Sequence, residues 1–440
     1  MDRSPSNSAS PGGFHLPGYA LWVFGIVSVL PWLVLVYLVR DRVGVQPASP
    51  APTPLAASRP GHPVAPPDSG NITFCKPGPW GELQFNRIVI EPPENLIDPN
   101  QLARRPTIWT FKGYKPETLT ALWQSAALTD EQHKYINERI DWEQTSDAIV
   151  MRPTPDFVLS LSAVTRTKIY TALGEFAENP EHKDPFRFRA DAADEWFRNS
   201  ELAPETIALI ERLLYRRGTS LLFSDSNLLL TKLPTILERA RLIKALARKS
   251  TLLVKLRIRS DSDIEALDSY WGRGRRTKDL KPLLQSLARE PSGMTIDIIH
   301  LLPRLPRSLL YTYPAANEDG NGSFLDCHWT VLNFFNLKPD DRYQHIEAVT
   351  STFLNDYFLV TGPRTFGDIL SFAEPNGSII HTCVYIADDI VYTKNGSSPN
   401  APWILMSLSD VVAFYPSEIP MEIQVYRAKD PGASKATNQN

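Results

Sequence analysis

In the stretch FLDCHWTVLNFFN (residues 324–336), Cys327 follows Asp326 at the start of a strongly apolar run. A thiol is a nucleophile as its thiolate. The first turn of a helix favours that form, and an imidazole within hydrogen-bond reach can take the proton. Asp326 is a natural N-cap, which puts Cys327 in the first turn and leaves Trp329, Leu332 and Phe335 to pack the helix on a sheet. The candidate base is His381, in IIHTCVYIADDIVYTKNG (379–396). Alternation there places His381, Cys383 and Tyr385 on one strand face and Thr382, Val384 and Ile386 on the other, with Asp388 and Asp389 turning a hairpin. Free cysteine is among the most buried residue types and a single histidine is commonly structural, so the pair is the signal, not either residue alone.

The elements that must position this pair are legible nearby. TFGDILSF (365–372) reads as a Gly-Asp turn followed by an apolar strand, so the expected order is helix with Cys327, strand, strand opening on His381, hairpin, strand. Upstream, LTDEQHKYINERI predicts a helix capped by Thr129. LAPETIALIERLLYRRG predicts another, with Pro204 in its first turn, Ile207, Ile210, Leu213 and Leu214 on one face, and Gly218 as its stop. TLLVKLRIR (251–259) reads as a strand. Residues 72–295 thus read as a mainly helical accessory domain, 296–428 as the domain carrying the cysteine and histidine, and 429–440 as a disordered tail.

Ahead of these, after an N-terminal tail (1–18), the uncharged run Tyr19–Val39 is long enough to span a bilayer and is expected to be a retained transmembrane anchor. The Pro/Ala-rich segment 40–71 cannot pack and reads as an extended linker. The charge asymmetry around 19–39 leans slightly toward a cytoplasmic C-terminal side.

The 440 residues carry a formal net charge of -3, too near neutral for a global field that would attract nucleic acid. Three cysteines, Cys75, Cys327 and Cys383, are too few and too scattered for a disulfide framework or a C-x-x-C zinc site, so no metal or cofactor is expected. The Arg- and Lys-rich stretch from Arg239 to Lys281, with WGRGRR at 271–276, could face an anionic polymer. Its interspersed acids make a solvated face the simpler reading.

From about Leu309 to Tyr415 the chain resembles the NlpC-type cell-wall peptidases, a papain-like cysteine peptidase family. The resemblance rests on YTYP at 311–314, DC at 326–327, GDILSF at 367–372 and HTCVYI at 381–386, in that order. It implies an α+β, papain-like C-terminal domain, Cys327 as nucleophile, His381 as general base, and an oxyanion held by the Cys327 N–H with a hydroxyl from Tyr311 or Tyr313. His328 and Trp329 stand where the family usually has Ser-Gly, so Trp329 is expected to reshape the groove. The family's third polar residue falls in VYTKNG, where Asn395 is favoured as the group orienting the imidazole and Thr393 is the alternative. The implied function is a membrane-anchored peptidase or amidase cutting peptidoglycan stem peptides, single-pass, with its catalytic domain outside the cytoplasm. A non-catalytic envelope scaffold and a thioester-forming acyltransferase are the other classes. Nothing in the pattern sets an oligomeric state.

Overall fold

A computed structural model describes residues 72–430, apart from residues 98, 190–195, 219, 315–324, 375–376 and 416–420. Strands β1 (Thr73–Phe74) and β2 (Glu82–Ile90) begin a first sheet. Strands β3 (Trp109–Lys112), β4 (Asp141–Gln144) and β5 (Ala148–Arg152) pair antiparallel in the order β3-β5-β4. Strands β6 (Phe186–Arg189), β7 (Tyr215–Arg217) and β8 (Ser220–Phe223) pair in the order β6-β8-β7. Strands β9 (Lys249–Ile258) and β10 (Met294–Asp297) then complete the first sheet, in the order β1-β2-β9-β10.

Local chemistry explains several of the element ends. Helix α1 (Asp130–Glu138) starts in a capping box, Thr129 bonding the Gln132 N–H and the Gln132 side chain bonding back. Helix α2 (Pro204–Leu213) has Pro204 at its start and buries Ile210 and Leu213. It stops before the expected Gly218, because Tyr215–Arg217 is drawn into pairing with β8. Gly218, at φ 59°, serves the turn between those strands instead.

The C-terminal sheet has six strands: β11 (Tyr357–Leu359), β12 (Ile369–Ala373), β13 (Ile379–Ala387), β14 (Ile390–Lys394), β15 (Trp403–Ser407) and β16 (Glu422–Ala428). All its pairings are antiparallel, in the order β11-β16-β12-β13-β14-β15. Asp388, at φ 48°, turns the hairpin from β13 to β14. At Gly367, φ 86°, a side chain would run into the Phe335 ring. The adjoining Asp368 is fully buried. It accepts bonds from Arg427 at 2.7 and 2.8 Å and from the Thr365 N–H at 2.9 Å, and pairs with Arg273 at 3.4 Å. The Gly-Asp turn is thus an anchor whose buried charge is matched from two distant segments.

The buried apolar side chains fall into separate groups. One runs from Ile97 to Leu246, and a second joins Leu83 and β9 to Trp329, Leu332, Val384 and Trp403. A smaller one, with Leu370, Phe372, Cys383 and Val391, covers the other face of the six-stranded sheet. Burying each such side chain contributes about 1.5–3 kcal/mol. Thr251 Oγ1 of β9 donates to Leu405 O of β15 at 3.0 Å, tying the first sheet to the last. The described residues, 72–430, fall in one compact unit.

The expectation of a transmembrane helix ahead of an α+β body is corrected to α+β alone. Among the described residues no helix is long and apolar enough to cross a membrane. The run 19–39 itself lies outside the described residues, as do the tail 1–18, the linker 40–71 and residues 431–440. The basic stretch divides between partly buried contacts, at Arg273 and Arg276, and exposed surface ion pairs, at Arg241, Arg257, Arg259 and Arg275. Arg273 donates to Phe366 O at 2.8 Å, Arg275 pairs with Asp430 at 2.8 Å, and Arg276 donates to Leu301 O at 2.5 Å.

Candidate active site

Cys327 is the first residue of helix α3 (Cys327–Leu332), and Asp326 caps it by accepting the Trp329 N–H at 2.8 Å. The helix ends sooner than its apolar run suggests, because Asn333 takes the C-cap, donating to Trp329 O at 3.1 Å and accepting the Asp340 N–H at 2.7 Å. Trp329 turns into the core, 6.3 Å from the Trp403 ring. The groove-reshaping role expected of it therefore does not arise, since its ring is buried. Thr330 fixes the helix on the sheet by accepting the Trp403 Nε1–H at 3.0 Å.

His381 is fully buried on β13, with its ring stacked on Tyr415 at 4.4 Å and tilted against Phe372 at 5.5 Å. His381 Nε2 lies 3.0 Å from Thr393 Oγ1, and the Thr393 hydroxyl donates to Asn395 Oδ1 at 3.1 Å. A threonine hydroxyl has one hydrogen. Given to Asn395, it leaves Oγ1 to accept from Nε2–H, and the imidazole is then the tautomer with a bare Nδ1. Nδ1 is buried and has no hydrogen-bond partner. The structure thus brings together His381, Thr393 and Asn395 as one line, with Thr393 on the ring and Asn395 one step behind it.

The thiol lies against Thr382, the neighbour of His381, and makes no hydrogen bond to the imidazole. Burial pushes the Cys327 thiol up to about 11 and the Asp326 carboxylate pushes the same way, outweighing the Thr382 N–H, the Thr382 hydroxyl and the Cys327 N–H, which favour thiolate. Burial pulls His381 down to about 3, helped by nearby His328. At neutral pH the pair is therefore thiol and neutral imidazole, not thiolate and imidazolium. His328 Nδ1 sits 3.1 Å from Thr382 Oγ1, so a second histidine reaches the same threonine. Cys75 and Cys383 are also free, and burial pushes both thiols higher, Cys75 to about 12.

Tyr311 and Tyr313 are not at the thiol. Tyr311 donates its hydroxyl to Leu252 O at 2.7 Å and Tyr313 donates to Ala247 O at 2.8 Å, so each spends its one hydrogen pinning the chain to the start of β9. Among the oxyanion donors the resemblance implies, the Cys327 N–H at the helix start remains. Three neighbours carry no sequence signal of a place at the site. Thr382 was hidden on the opposite face of its strand, Tyr415 gives no local signal, and Lys394 sits buried over Trp403 at 5.7 Å, donating to Gly396 O at 2.8 Å. Burial brings the Lys394 amine down to about 8, with Cys327 and Asp326 pulling it back up. Among the described residues no group of three or more His, Cys, Asp or Glu is placed to hold a metal ion.

Set against protein-family models, curated proteins and solved structures, the chain gives no match.

Proposed function

We propose that the chain is a cysteine-dependent amide hydrolase, with Cys327 as nucleophile, His381 as base and Thr393 as the group that orients it. The observation that carries this reading is the one-way line from His381 Nε2 through Thr393 to Asn395, which leaves Nδ1 bare on the strand that also bears the thiol's neighbour Thr382. In the reaction, Nδ1 takes the Cys327 proton as sulfur attacks the carbonyl carbon. The C–N bond breaks, the amine leaves with that proton, and water cleaves the thioester. The thiol must leave Thr382 for Nδ1 when substrate arrives. Peptidoglycan stem peptides are the substrate class, as the resemblance of residues 309–415 implies.

A second reading keeps the nucleophile and moves the base. The 3.1 Å contact between His328 and Thr382 gives the thiol a route to His328 through a hydroxyl.

Alkylation of the three cysteines of the full chain across pH 6 to 10, read by mass spectrometry, tests the nucleophile. Cys327 should label fastest, its rate rising about tenfold per pH unit without a plateau near neutrality, because the thiol titrates near 11. Equal, slow labelling of all three would remove the thiol from the mechanism. Stem-peptide cleavage by His381→Ala and His328→Ala then decides the base: a loss of about a thousandfold in the first and under tenfold in the second supports His381. The reverse moves the role to His328.

A further inference from the structure

A cavity of about 500 Å³ lies between the β6–β8 sheet and the edge of the C-terminal sheet. Among the described residues its wall carries four cations, Arg87, Arg187, Arg216 and Lys249, and one carboxylate, Asp410. Arg87 is matched by Asp410 at 2.9 Å, whereas Arg187, Arg216 and Lys249 make no ion pair within 4.0 Å among the described residues. Arg187 uses one nitrogen on Phe414 O at 3.0 Å and lies 4.7 Å over the Phe414 ring, which leaves its other donors unassigned. Lys249 is half-buried, and its amine makes no hydrogen bond among the described residues. Burial brings it down to about 8, with Asp184 pulling up and Arg187 pushing further down. Asp184 is the carboxylate both cations feel, yet it is exposed and bonds neither.

Holding the half-buried Arg187 and Lys249 together, with no ion pair among the described residues, is costly unless something anionic completes the hollow, and Arg216 adds its charge from the rim. The rest of the wall is largely apolar and aromatic, with Phe188, Trp196 and Phe414 beside the polar Ser220, Ser250 and Asn395. A wall of this kind, mostly apolar with a few convergent charged donors, is the usual make-up of a small-molecule site. Guanidinium forks and an ammonium suit carboxylate or phosphate oxygens.

We propose that this cavity binds a small organic molecule with at least two negative charges, its oxyanion groups held by Arg187, Arg216 and Lys249 and its apolar part lying on Phe188, Trp196 and Phe414. Asn395 also lines the cavity, so the ligand sits at the far end of the line that starts on His381. The proposal does not depend on the hydrolase reading, because it is tested by binding alone.

The experiment is calorimetric titration of the full chain, unaltered and as Cys327→Ala, with phenylsuccinate as dicarboxylate probe, 1-naphthyl phosphate as phosphate probe and 3-phenylpropanol as neutral control. The expected result is binding of one anion with Kd below about 1 mM, none of the alcohol, and a loss of at least about tenfold in Lys249→Gln and in Arg216→Gln. The stronger probe names the oxyanion. Arg216 lies at the exposed rim, so its variant stays informative if a Lys249 variant folds poorly. Absence of binding by either anion up to about 10 mM, or affinity unchanged in both variants, overturns the proposal. Equal binding by Cys327→Ala keeps the result separate from catalysis, whereas binding lost in that variant would assign the probe to the thiol site and also overturn it.

Discussion

Two buried polar clusters in this molecule each contain a histidine held neutral, and they differ in how the ring nitrogens are held. In the N-terminal core, Tyr170 donates to Asp225 at 2.7 Å, Arg166 donates to Val158 O at 2.9 Å and Arg212 O at 3.0 Å, and Arg166 faces Asp225 at 3.9 Å. His182 lies edge-on to Tyr170 at 4.5 Å, and neither of its ring nitrogens has a partner. In the C-terminal sheet, His381 has a partner on one nitrogen and none on the other. Burial, aided by Arg217 at His182 and by His328 at His381, brings both rings down to about 3, so neutrality does not separate them. Direction does. A hydrogen bond on Nε2 assigns the His381 tautomer and leaves Nδ1 bare, whereas His182 has no partner on either nitrogen among the described residues. The proposed reading rests on that difference: one His381 nitrogen is held and the other is bare.

The largest contrast is between losing chemistry and losing fold. Cys327→Ala should abolish stem-peptide cleavage while costing about 1 kcal/mol of stability, since a small buried side chain is lost. Asp225→Ala should do the opposite. It strands the Arg166 guanidinium in the core and should cost about 3–5 kcal/mol, with kcat per folded molecule little changed. Urea unfolding and product analysis of the same two preparations check both. Cleavage persisting in Cys327→Ala would reduce the C-terminal cluster to the status of the N-terminal one.

Next is the inside of the relay. Thr393→Val keeps shape but removes the group on Nε2, so the tautomer is no longer assigned, and kcat should fall about 30- to 100-fold. Asn395→Ala acts one bond further away and should cost less than about tenfold. If Asn395→Ala proves the more damaging, the imidazole is oriented by Asn395 in the working enzyme, and the line seen here is rearranged during turnover.

How much of this could be read from the chain alone depended on range. The Asp326 cap, the Cys327 position, the alternation that faces His381 away from Thr382 and the Asp388 turn are set by residues a few positions apart, and each is found as expected. The choice between Thr393 and Asn395 was not legible, because both share a strand face and only the β13–β14 register decides which reaches the ring. Tyr311 and Tyr313 have destinations in Leu252 and Ala247, and Asp368 has partners in Arg273 and Arg427. Such pairings are made by tertiary packing, and no local pattern announces them. Burial of the thiol has the same origin: a helix start argues for a lowered pKa, and the packing around it reverses the sign.

The smallest effect is shared by both clusters and follows from linkage. An imidazole in the unfolded chain titrates near 6.5, while His182 and His381 are both brought down to about 3 by burial in the folded one. Between those values the unfolded state binds a proton that the folded state refuses, so stability falls as pH falls. Each histidine contributes a slope of about 1.4 kcal/mol per pH unit, fully present between roughly pH 5.5 and 4, absent above about 7.5, and lost again as the folded ring protonates near 3. Urea titrations at pH 7.5, 5.5 and 4.5 should show the loss in the unaltered chain. His182→Phe and His381→Phe should each reduce the acid slope by about one proton. The comparison is sharpened by what accompanies that gain: His182→Phe should keep cleavage activity and His381→Phe should lose it. A slope unchanged by His381→Phe would mean that its ring is reached by water and protonates freely, which removes the buried, bare Nδ1 on which the proposed mechanism rests.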